Sequence, residues 1–104
     1  MRGNEQNIYL TGDCMAANSI YLKQNNISSQ INISENLHPC RLSYMHFHEA
    51  LEILYITGGA ISCRLDGADQ ILCPGDILFI NSNVPHETAS VEEKTGCALL
   101  QFQN

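Results

Sequence analysis

His46-Phe47-His48-Glu49-Ala50-Leu51-Glu52-Ile53-Leu54-Tyr55-Ile56-Thr57-Gly58-Gly59 changes character at its middle. Up to His48 the even positions Leu42, Tyr44, His46 and His48 share one face of a strand. From Leu51 to Ile56 the run is apolar on both faces except at Glu52, as expected of a strand sandwiched between layers. Two histidines two residues apart on one face stand about 6.6 Å from each other, at ~3.3 Å per residue, and can lean onto a common ion. Glu52 has the same parity, but in a straight strand it would lie roughly 13 Å beyond His48. It joins the histidines only if Glu49-Ala50-Leu51 reverses the chain. A third histidine, His86, must arrive from a neighbouring strand, with Pro85 stiffening its approach. Histidine and carboxylate ligands suit zinc, iron, manganese, nickel or copper. A glutamate between Leu51 and Ile53 is costly to bury without a partner. The residues alone define a polar site that holds either a metal or a ligand hydrogen-bonded directly. His38 falls outside this pattern and reads as structural or solvated.

Outward from this stretch the chain is a series of short strands. Ile61, Cys63 and Leu65 alternate with Ser62, Arg64 and Asp66, giving one buried and one wet face. Asp66-Gly67 is a hairpin signal. Gln70 to Cys73 returns, Pro74-Gly75-Asp76 turns, and Ile77 to Ile80 forms another buried strand. Asn81 to Pro85 is a loop that delivers His86. Glu92 to Gly96 turns again, and Cys97 to Gln103 is a last strand. Upstream, Ser19–Leu22 and Ser29–Ser34 alternate weakly around a Gln24-Asn25-Asn26 turn, and His38-Pro39 opens a new segment. Residues 1–18 read as a loosely held segment, within which Met1 to about Asp13, with a short Ile8-Tyr9-Leu10 patch, is a loose terminus or an edge strand. No helical stripe exceeds two turns. Such a series makes an antiparallel all-β sandwich or barrel.

The 104 residues form one domain, 44% apolar, with its barrel core at about 28–103. Eleven acids against five bases give a net charge of −6, which excludes nucleic-acid binding by this domain itself. No apolar run approaches the ~20 residues that cross a bilayer, and no signal peptide opens the chain. Five scattered cysteines read as free thiols of a reducing, cytoplasmic setting. The chain stops directly after a strand, as a piece of a longer protein would.

His46-x-His48-x-x-x-Glu52 followed by Gly59 resembles the first cupin motif. Gly75-Asp76 with Asn81-Ser82-Asn83-Val84-Pro85-His86 resembles the second. The departures are Asn81 and Asn83 in place of the usual proline and glycine, Ser90 for the asparagine that follows, and Cys40 for the leading glycine. The four ligand positions survive as His46, His48, Glu52 and His86. The resemblance covers roughly Arg41 to Phe102. It implies a small double-stranded β-helix (jelly-roll) barrel with those four residues at its mouth, holding a divalent transition metal (Zn, Ni, Fe, Mn or Cu).

Glu52-Ile53-Leu54-Tyr55-Ile56-Thr57-Gly58-Gly59 and Pro74 to His86 further resemble the N-terminal sensing domain of AraC-type transcription regulators. That likeness implies a binding module for a small polar metabolite or sugar, with Tyr44, Leu54, Ile56 and Phe79 as wall residues. It also implies a separate C-terminal helix-turn-helix region outside these residues, and a homodimer paired through edge strands. The alternative is a stand-alone metal-dependent cupin enzyme of dioxygenase, isomerase or decarboxylase type.

Overall fold

The computed structural model describes residues 18–24 and 27–103. Over them the chain forms nine strands: β1 (Asn18–Gln24), β2 (Ile27–Asn36), β3 (Cys40–His46), β4 (Leu51–Gly58), β5 (Ile61–Leu65), β6 (Ala68–Leu72), β7 (Ile77–Ile80), β8 (His86–Ser90) and β9 (Thr95–Gln103). No helix occurs among the described residues, and so none long and apolar enough to cross a membrane. Residues 1–17, with the Ile8-Tyr9-Leu10 patch, and the Asn25-Asn26 turn lie outside the described residues.

Two antiparallel sheets face each other, one ordered β1-β2-β9-β4-β7 and the other β3-β8-β5-β6. Apart from the hairpins β1–β2 and β5–β6, each strand is followed in sequence by one in the opposite sheet. This is the winding of a jelly roll. Turn chemistry sets the corners. Asp66 and Gly67 both take positive φ, 49° and 85°, as the tight turn between β5 and β6 requires. Pro74 and Gly75 (φ 93°) form the next turn, in which Asp76 N donates to Cys73 O at 2.9 Å. At the β4–β5 corner Gly59 has φ 68°, and a Cβ there would stand 2.7 Å from Thr95 Cα.

Leu54, Ile56, Ile61, Cys63, Leu72 and Cys97 form the core between the sheets. Ile56 and Ile61 are wholly buried, each stabilising the fold by about 1.5–3 kcal/mol. The expectation that β4 and β7 are covered on both faces is corrected. Tyr55, Ile77 and Phe79 are exposed, because β7 is an edge strand and only the inner face of this sheet meets the second sheet. The strand expected to run to His48 ends at His46. His86 follows the Asn81–Pro85 loop and begins β8, a neighbouring strand as expected. The expectation of free thiols holds for Cys63, Cys73 and Cys97, whereas Cys40 is disulfide-bonded.

Candidate metal centre

β3 and β8 lie side by side with His46 opposite His86, so one pairing brings two of the histidines together. The pairing slips between Arg41 and Ser43 and again between Ser43 and His46, each time with one extra residue on β3. Leu42 and Ser43 consequently both line the interior, while Tyr44 and Met45 are both exposed. The two slips cancel, and His46 returns to the inward phase.

His48 lies past the end of β3, in a segment pinned by the loop that precedes β8. Asn83 N donates to His48 O at 2.7 Å, and Ser82 Oγ donates to Glu49 O at 2.6 Å. The chain bends at Glu49-Ala50 and enters β4, which carries Glu52 inward, 4% exposed. This is the reversal that Glu52 needed in order to meet the histidines.

Each histidine spends one ring nitrogen on a nearby carbonyl. His46 Nδ1 donates to Tyr44 O at 2.6 Å, His48 Nδ1 to Ala50 O at 3.0 Å and His86 Nδ1 to Val84 O at 2.8 Å. A carbonyl only accepts, so the proton is assigned to Nδ1 in every case, and in the neutral ring the free lone pair sits on Nε2. Ring nitrogens of His46, His48 and His86 all come within 4.8 Å of one another. Glu52 Oε1 stands 2.9 Å from His86 Nε2 and 3.3 Å from His48 Nε2. Despite these short distances, none of the three atoms has a hydrogen-bond partner. Acceptors face acceptors in a buried place, which is unfavourable unless a cation sits among them. Two ligands on one ion at metal–ligand distances of about 2.1 Å stand roughly 3.0–3.4 Å apart. The two carboxylate–imidazole separations lie close to that range, so Glu52, His48 and His86 suit a transition metal, with His46 near enough to join by a small shift. Among the described residues, His46, His48 and His86 are the group that could hold one. Gln101 Nε2 donates to Glu52 Oε2 at 3.1 Å, occupying the oxygen turned away from the histidines.

The cluster opens onto a cavity of about 280 Å³ between the sheets. Leu54 lines it as expected. The other three expected wall residues lie elsewhere. Ile56 is sealed in the core, Tyr44 is turned out by the slips in β3, and Phe79 is 70% exposed on the outer face of β7. In their places stand Ile80, Leu99, Leu42 and the polar Asn32, Ser43 and Thr88. No motif marked these residues, and only strand register reveals them. His38 is exposed and takes no part.

A two-sheet jelly roll with a histidine cluster at one end of its interior is a cupin. Residues 40–102 match the family described as the AraC-like ligand binding domain, and the chain belongs to that family. Solved structures agree on the fold. KdgF from Halomonas sp. superposes with a TM-score of 0.62 at 18% identity, over 83% of this chain and 77% of that one. The Cnp3 cupin domain of Schizosaccharomyces pombe gives 0.63 at 4% identity, over 83% and 63%. The DMSP lyase DddQ from Ruegeria pomeroyi DSS-3 gives 0.58 at 20% identity, over 84% of this chain and 46% of the lyase. No curated protein matches in sequence.

Proposed function

We propose that this domain senses a small polar effector for an AraC-type transcription regulator, with a divalent transition metal held by His46, His48, His86 and Glu52. The observation that carries the reading is the convergence of buried, unpartnered Nε2 and Oε1 atoms beside the cavity between the sheets. When bound, the metal supplies Lewis acidity to anchor a hydroxyl or carboxylate of the effector. The protein supplies the rest. Leu54, Leu99 and Ile80 exclude water from the ligand's apolar side, and Asn32, Ser43 and Thr88 offer amide and hydroxyl groups to its polar side. Among the described residues the cavity lining contains neither lysine nor arginine, so within that lining an anionic effector depends on the metal for its countercharge. Effector binding shifts a cytoplasmic parent regulator between states by the difference in its affinity for them.

An enzyme of the same fold that moves protons, as an isomerase does, would need an acid–base group beside the metal. The two acids adjoining the ligands do not supply one. Glu49 is exposed, and Glu87 lies with Arg41 and Arg64 on the outer side of the second sheet.

Calorimetric titration of the chelator-treated domain with zinc and nickel chloride tests the site. Thermal-shift screening of the metal-loaded domain with sugars and small hydroxy acids then tests the pocket. One equivalent of metal, lost on replacing His46 and His48 by alanine in a folded protein, is the expected result. A folded wild-type domain that binds neither metal overturns the metal assignment. Metal-dependent turnover of any of those compounds would establish the enzyme instead.

A further inference from the structure

The first slip in β3 puts a serine where regular pairing would put a leucine. With Arg41 opposite Ala89, an unbroken ladder would set Leu42 against Thr88, but the extra residue brings Ser43 there instead. Thr88 shares the inward face of β8 with His86, two residues away, and both line the cavity. A pair of hydroxyls, one from each strand, thus stands one step inside the histidine cluster. Ser43 Oγ and Thr88 Oγ1 are 2.9 Å apart, and Thr88 N donates to Ser43 Oγ at 3.2 Å. Ser43 Oγ is therefore held from two sides, and Thr88 is buried.

The pair has one hydrogen more than it can use. Two hydroxyls bring two hydrogens, and the bond between them takes one, whichever oxygen donates. The Thr88 amide fills an acceptor position on Ser43 and so takes up no hydroxyl hydrogen. Neither hydroxyl makes another hydrogen bond among the described residues, so one O–H is left for whatever occupies the cavity. Leaving such a donor unmet costs about 1–3 kcal/mol, and an oxygen inside the cavity, from water or a ligand, is what meets it.

We propose that this hydroxyl pair is the second anchor of the effector, and that the effector is a short monocarboxylate with an uncharged oxygen, oxo or hydroxyl, on its γ or δ carbon. The inference rests on the metal and effector reading above, with the carboxylate at the histidine end. Spacing is the first argument. Thr88 lies about 6.6 Å along β8 from His86, a span that roughly five bonds of ~1.5 Å cover. The walls are the second. Leu42, Leu54 and Leu99 line the same cavity, so the carbons joining the two oxygens are bare methylenes rather than those of a polyol. Charge is the third. A single neutral hydroxyl cannot compensate a second carboxylate, and among the described residues the lining has no lysine or arginine to do so. A dicarboxylate is therefore rejected. Ser43 and Thr88 in this way set specificity without holding the metal.

Calorimetry on the zinc-loaded chain with 4-oxopentanoate, pentanoate and pentanedioate tests the proposal. The three share a chain length and differ only in the part that meets Ser43 and Thr88. We expect 4-oxopentanoate to bind about tenfold more tightly than pentanoate, as one added hydrogen bond allows. Pentanedioate should bind no better than pentanoate. In a Ser43→Ala/Thr88→Val double variant that circular dichroism shows to be folded, the preference for 4-oxopentanoate should disappear. The ligand comparison on the wild type needs no variant, so it decides even if that protein does not fold. Equal affinities for 4-oxopentanoate and pentanoate, tighter binding of pentanedioate, or binding of none of the three would overturn the proposal, while zinc uptake would keep the metal reading. A folded double variant that retains the preference overturns the role of the pair. A chain that takes up no zinc fails at the metal assignment, and this inference falls with it.

Discussion

Gln101 donates its side-chain amide to Glu52 Oε2, and the two residues are direct partners in the β9–β4 ladder. The bond leaves Oε1 as the oxygen beside His48 and His86. Gln101 therefore fixes both the rotamer of the carboxylate and which oxygen is available to a cation. Replacing Gln101 by leucine should keep the fold and weaken metal binding by roughly 10–100-fold, the usual cost of losing such a support. Calorimetry with zinc gives the affinity. The visible spectrum of the cobalt-substituted domain reports whether the ligand field has changed, which a purely structural role would leave untouched.

Glu52→Gln separates stability from metal binding by giving them opposite signs. In the metal-free wild type, Oε1 faces two ring nitrogens that also lack a hydrogen to give. A glutamine can accept from Gln101 with its oxygen and turn its NH₂ toward His86 and His48, satisfying buried acceptors worth about 1 kcal/mol or more. The metal-free variant should melt about 4–8 °C higher than the metal-free wild type. Its Tm should not respond to zinc, whereas that of the wild type should rise. A lower Tm for metal-free Glu52→Gln would overturn this account of the buried contacts.

How much of this was legible in the sequence depends on whether alternation stayed intact. β4 keeps its two-residue period from Leu51 to Ile56, so Glu52 and Leu54 share a face that could be read directly. β3 does not. Its two one-residue slips turn Tyr44 out, yet they cancel before His46, so parity gave the right face for the histidine and the wrong one for the tyrosine. Ile77-Leu78-Phe79-Ile80 is apolar at every position. Nothing in it says whether Phe79 or Ile80 faces inward, and the choice is made by pairing Ile80 with Glu52. Gln101 belongs to no motif, and its role follows only from the register of β9 against β4. The histidine and glutamate motif was the readable part because its chemistry does not depend on register.

Gly59 and Gly67 both lie in the left-handed region, so both resist a side chain, but their surroundings differ. A Cβ on Gly67 would meet nothing within 4 Å, and only the backbone strain of about 1–2 kcal/mol applies. A Cβ on Gly59 would stand 2.7 Å from Thr95 Cα and 2.8 Å from its Cβ. Thr95 cannot retreat easily, because it is itself buried and its hydroxyl donates to Glu92 O at 2.7 Å. Urea denaturation should show Gly67→Ala losing about 1–2 kcal/mol and Gly59→Ala clearly more, about 3 kcal/mol or above. Equal losses would mean that the β4–β5 corner yields without cost.

The cysteines should divide by burial. Cys73 is exposed, while Cys63 and Cys97 are buried. Burial, with the negative charges of Glu52, Asp69 and Glu87 adding to it, pushes the Cys63 thiol from 9.0 up to about 11. Burial also raises Cys97, partly offset by its contact with Ser34 Oγ at 3.3 Å. The thiolate is the reactive form, so at pH 8 iodoacetamide should label Cys73 and leave Cys63 and Cys97 unmodified until the domain unfolds. Peptide mass mapping reads this directly. The same shift sets a pH dependence. The native state holds the Cys63 proton where the unfolded chain releases it, so the stability from keeping this thiol neutral is complete below pH 9. It is lost as the pH rises through about 11, a loss of roughly 3 kcal/mol at most. In Cys63→Ala this part of the decline between pH 9 and 11 should disappear, leaving a shallower slope. An unchanged slope would show that the thiol titrates alike in both states, and that its neighbours do not hold it protonated.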